Sequence, residues 1–420
     1  MNIKQPNELI TWYRFDLIIK YLYGKSIIKN YNTSFFKDAY KEHLRLWNGF
    51  KEYNNPHKCT FEAFDEDFKR MIESIDKNGF DPTISLVPIE NNKYILNGSH
   101  RVASCLVCNK PVMCCYGTNV IDGQKDCSWG GLFKNLGLPT VYSDITAIEY
   151  AKLKKSTYVV TLFPSTNGNY RPVLEILSKY GGVFYYKPIE LKKYGPLNLM
   201  RELYVGEPWA GDHDTNYGGF SDKMNRCYTT NNLTYVFLVD FDSHENTIKA
   251  KKEIRDIFNL GNHSVHINDT HEQTVRLSKI FFNDNSIHHL NNSIPVKYEK
   301  FNTCIENFKK YIDKNGLDID DYCVTSSSTL SIYGLREGND LDYLHLNPTE
   351  IKDDLNLIHS HNEYGKNLYE LNYDEIILNP NYHFYSRGVK FASLNVVKEL
   401  KEKRGEEKDL KDLELIKSVL

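Results

Sequence analysis

Asp340 and Asp342 stand one residue apart, downstream of Ser327, Ser328, Gly334 and Arg336. In an extended strand residues i and i+2 face the same side, so this spacing predicts two carboxylates presented together. Paired carboxylates suit Mg2+, which takes protein oxygens together with substrate phosphate oxygens. Serine hydroxyls and backbone N–H groups near a glycine turn supply donors for a phosphate. Phosphoryl or nucleotidyl transfer needs these parts: a metal to neutralise charge, and donors placed around the transferring group. The plain alternative is a surface turn whose acids are solvated.

The run from Val324 to Leu344 resembles the signature of the nucleotidyltransferase superfamily. In that signature a strand enters a Gly-Ser helix start and is followed about a dozen residues later by an Asp-x-Asp strand. Ser327 and Ser328 fall at the Gly-Ser position, and Gly334 and Arg336 match the Gly-x-Arg often seen between the two elements. No glycine precedes the serine here. The resemblance implies that Asp340 and Asp342 hold Mg2+, that Ser327 and Ser328 position a nucleoside triphosphate, and that Arg336 stabilises charge. The charged tail, with Lys408-Asp409-Leu410-Lys411-Asp412, is similar to the terminal helix that closes such domains; without the resemblance it reads as a solvated helix with i,i+4 pairs. Ser328-Thr329-Leu330 through Arg336 to Asp342 is also similar to the phosphocholine-transferase and fukutin-type family. A metal-dependent glycosyltransferase is a third reading of the acid pair, and it calls for a Rossmann half ahead of the acids.

A second motif, Asn97-Gly98-Ser99-His100-Arg101, lies between an expected strand and helix. Backbone N–H groups at such a helix start attract anions, and glycine permits close approach. Arg101 adds a bidentate donor and His100 a group that titrates near neutrality. The motif resembles the phosphate-holding turn of the ParB/sulfiredoxin fold, some members of which are kinases of small molecules. Gly98, Ser99, His100 and Arg101 are then expected to grip phosphate. Ser99 stands where sulfiredoxin has its reactive cysteine, which argues against sulfinic-acid reduction. The alternative is an ordinary N-cap with Arg101 paired to a local acid.

Other candidates are weaker. The loop from Gly206 to Gly219 carries Trp209, Asp212 and His213, with Lys223 and Arg226 behind it, and suits stacking on a sugar or base. His266, Asp269 and His271 raise a metal, but a helix capped by Asp269 or Thr270 is the simpler account. Cys105, Cys108, Cys114 and Cys115 raise zinc; neighbours on a strand face opposite ways, so buried thiols are expected.

The elements that must position these groups follow from periodicity. Trp12 to Leu22 and Phe61 to Ile75 read as helices, the latter stopped by Asn78-Gly79. Ser85 to Ile89, Tyr94 to Leu96, Thr157 to Phe163, Val183 to Tyr186 and Thr234 to Phe241 read as strands; Pro172 to Lys179, Thr247 to Phe258, Phe301 to Lys314 and Leu394 to Leu420 read as helices. The expectation is an α/β (α+β) protein of three domains: 1–150, ParB/sulfiredoxin-like; 151–300, α/β of unassigned role; and 301–420, nucleotidyltransferase-like. A chain of 420 residues exceeds one ordinary core, and 41% hydrophobic with 25% charged residues fits a folded protein. The net charge of −3 argues against nucleic acid as a partner. No stretch reaches the roughly 20 apolar residues of a membrane span. Nine cysteines, an odd number, without an export signal point to a reducing cytoplasm. The function expected is Mg2+-dependent transfer of a nucleotidyl or phosphate-linked group from a nucleoside triphosphate to a small alcohol, sugar or glycan phosphate, with a kinase-like site near the N-terminus. A non-catalytic nucleotide-binding module is the alternative.

Overall fold

The computed structural model describes residues 2–420 except 53–54, 118–125, 212–216, 230–231, 348 and 352–356. The fold is mixed α/β, with helices packed on three small sheets. Among the described residues no helix is long and apolar enough to cross a membrane.

The first sheet joins β1 (Asn2–Lys4), β2 (Val87–Glu90), β3 (Tyr94–Ile95) and β4 (Val112–Tyr116) in the order β1-β4-β2-β3. Asn91 and Asn92, both at positive φ, turn β2 back into β3, as asparagine tolerates the left-handed region a tight hairpin needs. The helix Phe61–Asn78 starts at Thr60, whose hydroxyl accepts from Ala63 N, and stops at Gly79 with φ 76°. The helix Phe15–Ile28 packs into the core, charged residues included. Asp16 and Lys20 are buried and pair at 2.6 Å, and Arg14 grips Asp16 through two 2.8 Å bonds. Burial opposes ionisation of Asp16, but the two cations outweigh it and hold its carboxyl well below the usual range.

The second sheet holds β5 (Thr157–Leu162), β6 (Gly181–Glu190), β7 (Leu233–Phe241) and β8 (Val265–Ile267) in the order β6-β7-β5-β8, with every pairing antiparallel. Its inner strands are apolar at successive positions because both faces are covered. Val236 and Leu238 face one core, Phe237 and Val239 the other. The first of these cores runs from Leu9 to Leu290, so the N-terminal helices and the second sheet share it. Phe184 sits at its centre, stacked on Tyr150 at 3.7 Å and on Phe15 at 5.1 Å between ring centroids.

The third sheet contains β9 (Tyr322–Thr325), β10 (Leu341–His345), β11 (Ile358–Ser360), β12 (His383–Ser386) and β13 (Val389–Ala392), in the order β11-β10-β9-β13-β12. It has its own core, from Phe301 to Ile416. The tail, expected as one helix, is two: Gly405 at φ 67° ends Leu394–Arg404, and Glu407–Lys417 folds back against it. Asp320, just ahead of β9, binds Lys152 at 2.9 Å and Lys279 at 2.6 Å, tying two side chains of the middle segment to the third sheet. Lys390 lies beside it, donating to the Asp320 and Ile377 carbonyls; burial brings its ammonium down to about 8 against the pull of Asp320.

Gly334 sits where the third sheet meets the preceding segment. Its φ is 74°, and a Cβ there would stand 2.4 Å from the Ile294 carbonyl oxygen. The glycine is therefore required by a close backbone approach as well as by its conformation. Gly334→Ala is expected to cost more than the roughly 1–2 kcal/mol of a left-handed alanine. A denaturant midpoint equal to the parent's would show that this junction can open without cost.

Candidate functional site

β9 and β10 are antiparallel neighbours, and their register sets Asp342 opposite Thr325, at the end of β9. The chain leaves β9 through Ser326 into the short helix Ser327–Ile332 and returns by way of Gly338 and Asp340 to β10. Leu341 is fully buried, while Asp340 and Asp342 on either side of it line one cavity of about 980 Å3, together with Ser326, Ser327 and Arg336. Alternation along the strand thus puts the two carboxylates on a common face, although Asp340 precedes the first paired residue.

Ser326 adopts φ 58° and ψ −135°, a backbone shape that favours glycine. The position at which the sequence lacks a glycine is thus one residue earlier than its motif suggests, and a serine occupies it under strain. Ser327 reaches the cavity. Ser328 does not: it is fully buried and its hydroxyl donates to the Asp340 carbonyl at 3.1 Å, bracing the acid-bearing loop.

The far wall of the cavity is the doubled-back tail. Asp409 and Asp412 lie one helical turn apart, on the face turned inward, and both are buried. Lys401 Nζ stands 3.3 Å from Asp409 and 2.6 Å from Asp412. Arg404 binds Asp409 at 2.5 and 2.9 Å, and Arg336 binds Asp412 at 2.5 and 2.7 Å. Burial disfavours the charged form of Asp409, but Arg404 and Lys401 overcome it and hold the carboxyl at about 2. Asp412 is lowered in the same way by Arg336 and Lys401. Arg336 is therefore a clasp that ties the acid loop to the tail, with its third nitrogen on the Glu337 carbonyl. On the exposed side of the same helix, Lys408 and Lys411 face the cavity.

Sequence reasoning did not find His359 and His361, which reach the cavity from the edge strand β11. His361 Nε2 lies 3.0 Å from Asp342 Oδ1. Their alternate spacing was the available signal. Among the described residues no group of three or more His, Cys, Asp or Glu converges on a metal position. The donors offered to a cation are the two carboxylates. That is a fitting set for Mg2+, which completes its six ligands with water and substrate oxygens.

The other predicted groups are brought together differently. Gly98 is left-handed, φ 94°, and begins the helix Ser99–Cys108. Arg101 folds back over it, so that a Cβ on Gly98 would stand 2.6 Å from the guanidinium, and donates to the Leu86 carbonyl at 2.8 Å. Ser99 Oγ accepts from Lys20 at 2.7 Å. His100 shares a 2.9 Å hydrogen bond with the Tyr40 hydroxyl beside the rings of Tyr40 and Phe68, and burial keeps it neutral, well below the ordinary histidine range. The side chains of Ser99, His100 and Arg101 are thus each engaged inside the protein.

His266, Asp269 and His271 do not converge. His266 lies on β8 and is held near 3 by burial, Asp269 is exposed, and His271 contacts the Ala151 carbonyl at 2.8 Å. Thr270 caps the helix that follows. Trp209 is exposed, Lys223 is turned inward onto the Asn262 carbonyl, and Arg226 pairs with Asp222; Asp212 and His213 lie outside the described residues. Cys105 and Cys114 are buried, and burial pushes their thiols up to about 12 and about 11. Compared with family models, curated proteins and solved structures, the chain matches none.

Two outcomes are expected. Ser326→Gly relieves strain of about 1–3 kcal/mol and gives back about 0.4–1 kcal/mol in chain entropy, so the melting temperature should rise. A fall would mean that the serine side chain contributes more than its backbone costs. The Asp409 carboxyl has a folded value below its unfolded one, so its contribution is complete above pH ~4 and is lost as pH falls toward about 2. Asp409→Asn should lose about 3–5 kcal/mol at neutral pH and show a flatter acid limb in pH-dependent melting than the parent.

Proposed function

We propose that the cavity between β10 and the doubled-back tail is the site of a Mg2+-dependent nucleotidyl- or phosphotransferase. The observation that carries this reading is the meeting of opposite chemistries in one space. Two carboxylates stand on one wall, and Lys408 and Lys411, with the Lys401 and Arg404 clasp behind them, stand on the other. A polyphosphate with a bound cation suits that juxtaposition: Asp340 and Asp342 would hold the metal, which would neutralise phosphate charge, and Lys408 and Lys411 would meet the charge that remains. The resemblance of Val324–Leu344 to the nucleotidyltransferase signature supports the same reading, and so does strain at Ser326, since strained backbone concentrates at functional sites.

In this scheme Asp340 and Asp342 hold Mg2+, which supplies charge neutralisation at the transferring phosphate. Ser327 orients a phosphate oxygen by its hydroxyl. Lys408 and Lys411 bind the remaining phosphate charge. Arg336 keeps Asp412, and through it the tail, in place. The acceptor is a hydroxyl of a small alcohol, sugar or glycan phosphate entering from the open side. The phosphocholine-transferase-like reading uses the same residues and differs only in the group carried. The Gly98–Arg101 turn is left out of the reaction because its side chains already have partners within the fold.

A panel of ATP, CTP, GTP and sugar nucleotides, each with and without Mg2+, tests this on the parent and on Asp342→Asn by thermal shift and by product release. The expected result is a Mg2+-dependent shift with at least one nucleotide, and turnover reduced about 10²–10³-fold in the variant. A Mg2+-dependent shift with no turnover in the parent would favour a nucleotide-binding switch. Full turnover in Asp342→Asn would place the chemistry elsewhere.

A further inference from the structure

A second cavity, of about 940 Å3, opens where the middle segment meets the third sheet, and it shares no lining residue with the acid cavity. Arg201 and Glu202 reach it from the helix Gly195–Leu203, Arg276 from His271–Phe281, and Arg387 from the hairpin between β12 and β13. The charges there are unevenly matched. Glu202 is taken by Arg276, whose Nη1 lies 2.8 Å from Oε2, while its other oxygen accepts the Arg387 backbone N–H at 3.3 Å. Arg387 donates from its guanidinium only to the neutral Asn302 side chain, at 2.7 Å. Arg201 donates to the neutral Asn198 side chain at 3.3 Å and lies over the Tyr217 ring. Among the described residues neither guanidinium has a carboxylate within 4.0 Å.

Asn198 is itself buried, and its amide is fixed by the carbonyls of Leu290 and Ser293, so Arg201 is held by a prebuilt partner. Arg387 sits at φ 52°, where a hairpin turn normally takes asparagine or glycine. A bulky residue there costs about 1–2 kcal/mol, so nothing in the turn itself asks for arginine. Burial and the charge of Arg201 both work against the Arg387 cation and outweigh the pull of Glu202 and Glu306. The nearest acid, Glu202, spends one oxygen on Arg276 and the other on the Arg387 backbone N–H, so neither guanidinium is ion-paired among the described residues, and an anion is the species that would remove their repulsion. The carboxylates of Glu272, Glu306, Asp313 and Asp318 also line the cavity; Glu306 is taken by Lys309 at 3.2 Å.

The geometry points to a second ligand site at this junction, taking a phosphate group, free or carried on a small organic molecule, between Arg201 and Arg387. The phosphate bridges the two guanidinium groups and so links the core of the middle segment to the hairpin of the third sheet. The site stands independently of any reaction at Asp340 and Asp342.

Inorganic phosphate, glucose 1-phosphate and glucose serve as probes in titration calorimetry of the full chain. Four proteins are compared: the parent, Arg387→Gly, Arg201→Gln and Lys411→Gln. Glycine is compatible with the φ of residue 387, so Arg387→Gly removes the charge without straining the fold. The expected result is binding of one or both phosphate probes by the parent and none of glucose, weakened about 10- to 100-fold in Arg387→Gly and in Arg201→Gln and unchanged in Lys411→Gln. Binding of glucose 1-phosphate alone identifies an organic phosphate as the ligand; equal binding of both identifies free phosphate. Affinity that survives both arginine variants, or is lost only in Lys411→Gln, overturns the proposal by placing the anion in the acid cavity. No binding of either phosphate probe by the parent overturns it as well.

Discussion

The site hangs on a cluster of buried ion pairs in the tail: Lys401 between Asp409 and Asp412, with Arg404 and Arg336 closing either end. A cluster of this kind stabilises little on balance, because taking the ions out of water offsets most of their attraction. Its value lies in direction. Only one placement of the helix Glu407–Lys417 leaves all five groups paired, and that placement turns Lys408 and Lys411 toward the carboxylates of β10. Arg336 is the link that joins the two walls, being anchored in the loop just ahead of Asp340 and Asp342.

Strain is concentrated around the same loop and its surroundings. Ser326 holds a glycine-like conformation at the mouth of the cavity, and Gly334 passes close beneath the Ile294 backbone. Both positions are over-determined by β9, β10 and the junction with the middle segment. The short helix between them therefore has little freedom, and Ser328 locks it further by bonding to the Asp340 backbone. A loop constrained in this way holds Asp340 and Asp342 in position.

Charge is also what joins the segments. Asp320 gathers Lys152 and Lys279 at one junction, and Arg387 and Arg201 line a cavity at another. The first is satisfied by its own side chains. At the second, neither arginine has an ion pair among the described residues, which is the difference on which the proposed phosphate site rests. Asp16, with Arg14 and Lys20, is of the first kind: the cluster lies under the Gly98 turn and spends the hydroxyl of Ser99.

What the sequence determined by itself was local. Period-two spacing put Asp340 and Asp342 on one face, the expected helices Phe61 to Ile75 and Phe301 to Lys314 lie within the observed Phe61–Asn78 and Glu299–Lys314, and Asn78-Gly79 marked a helix end, because each depends on neighbours a few residues away. The tertiary structure decided everything that depends on distant partners. Asp409 and Asp412 looked solvated, but each found a cation across the fold, Lys401 and Arg336 among them, that offsets the cost of burial. His359 and His361 entered the cavity only because β11 pairs with β10, and Arg336 became a clasp only because the tail folded back at Gly405. His100 and Arg101 have the right types for holding a phosphate, yet packing against Tyr40 and Leu86 turned them inward. Charge and spacing are written along the chain; which opposite charge a group meets is settled only when remote elements pack.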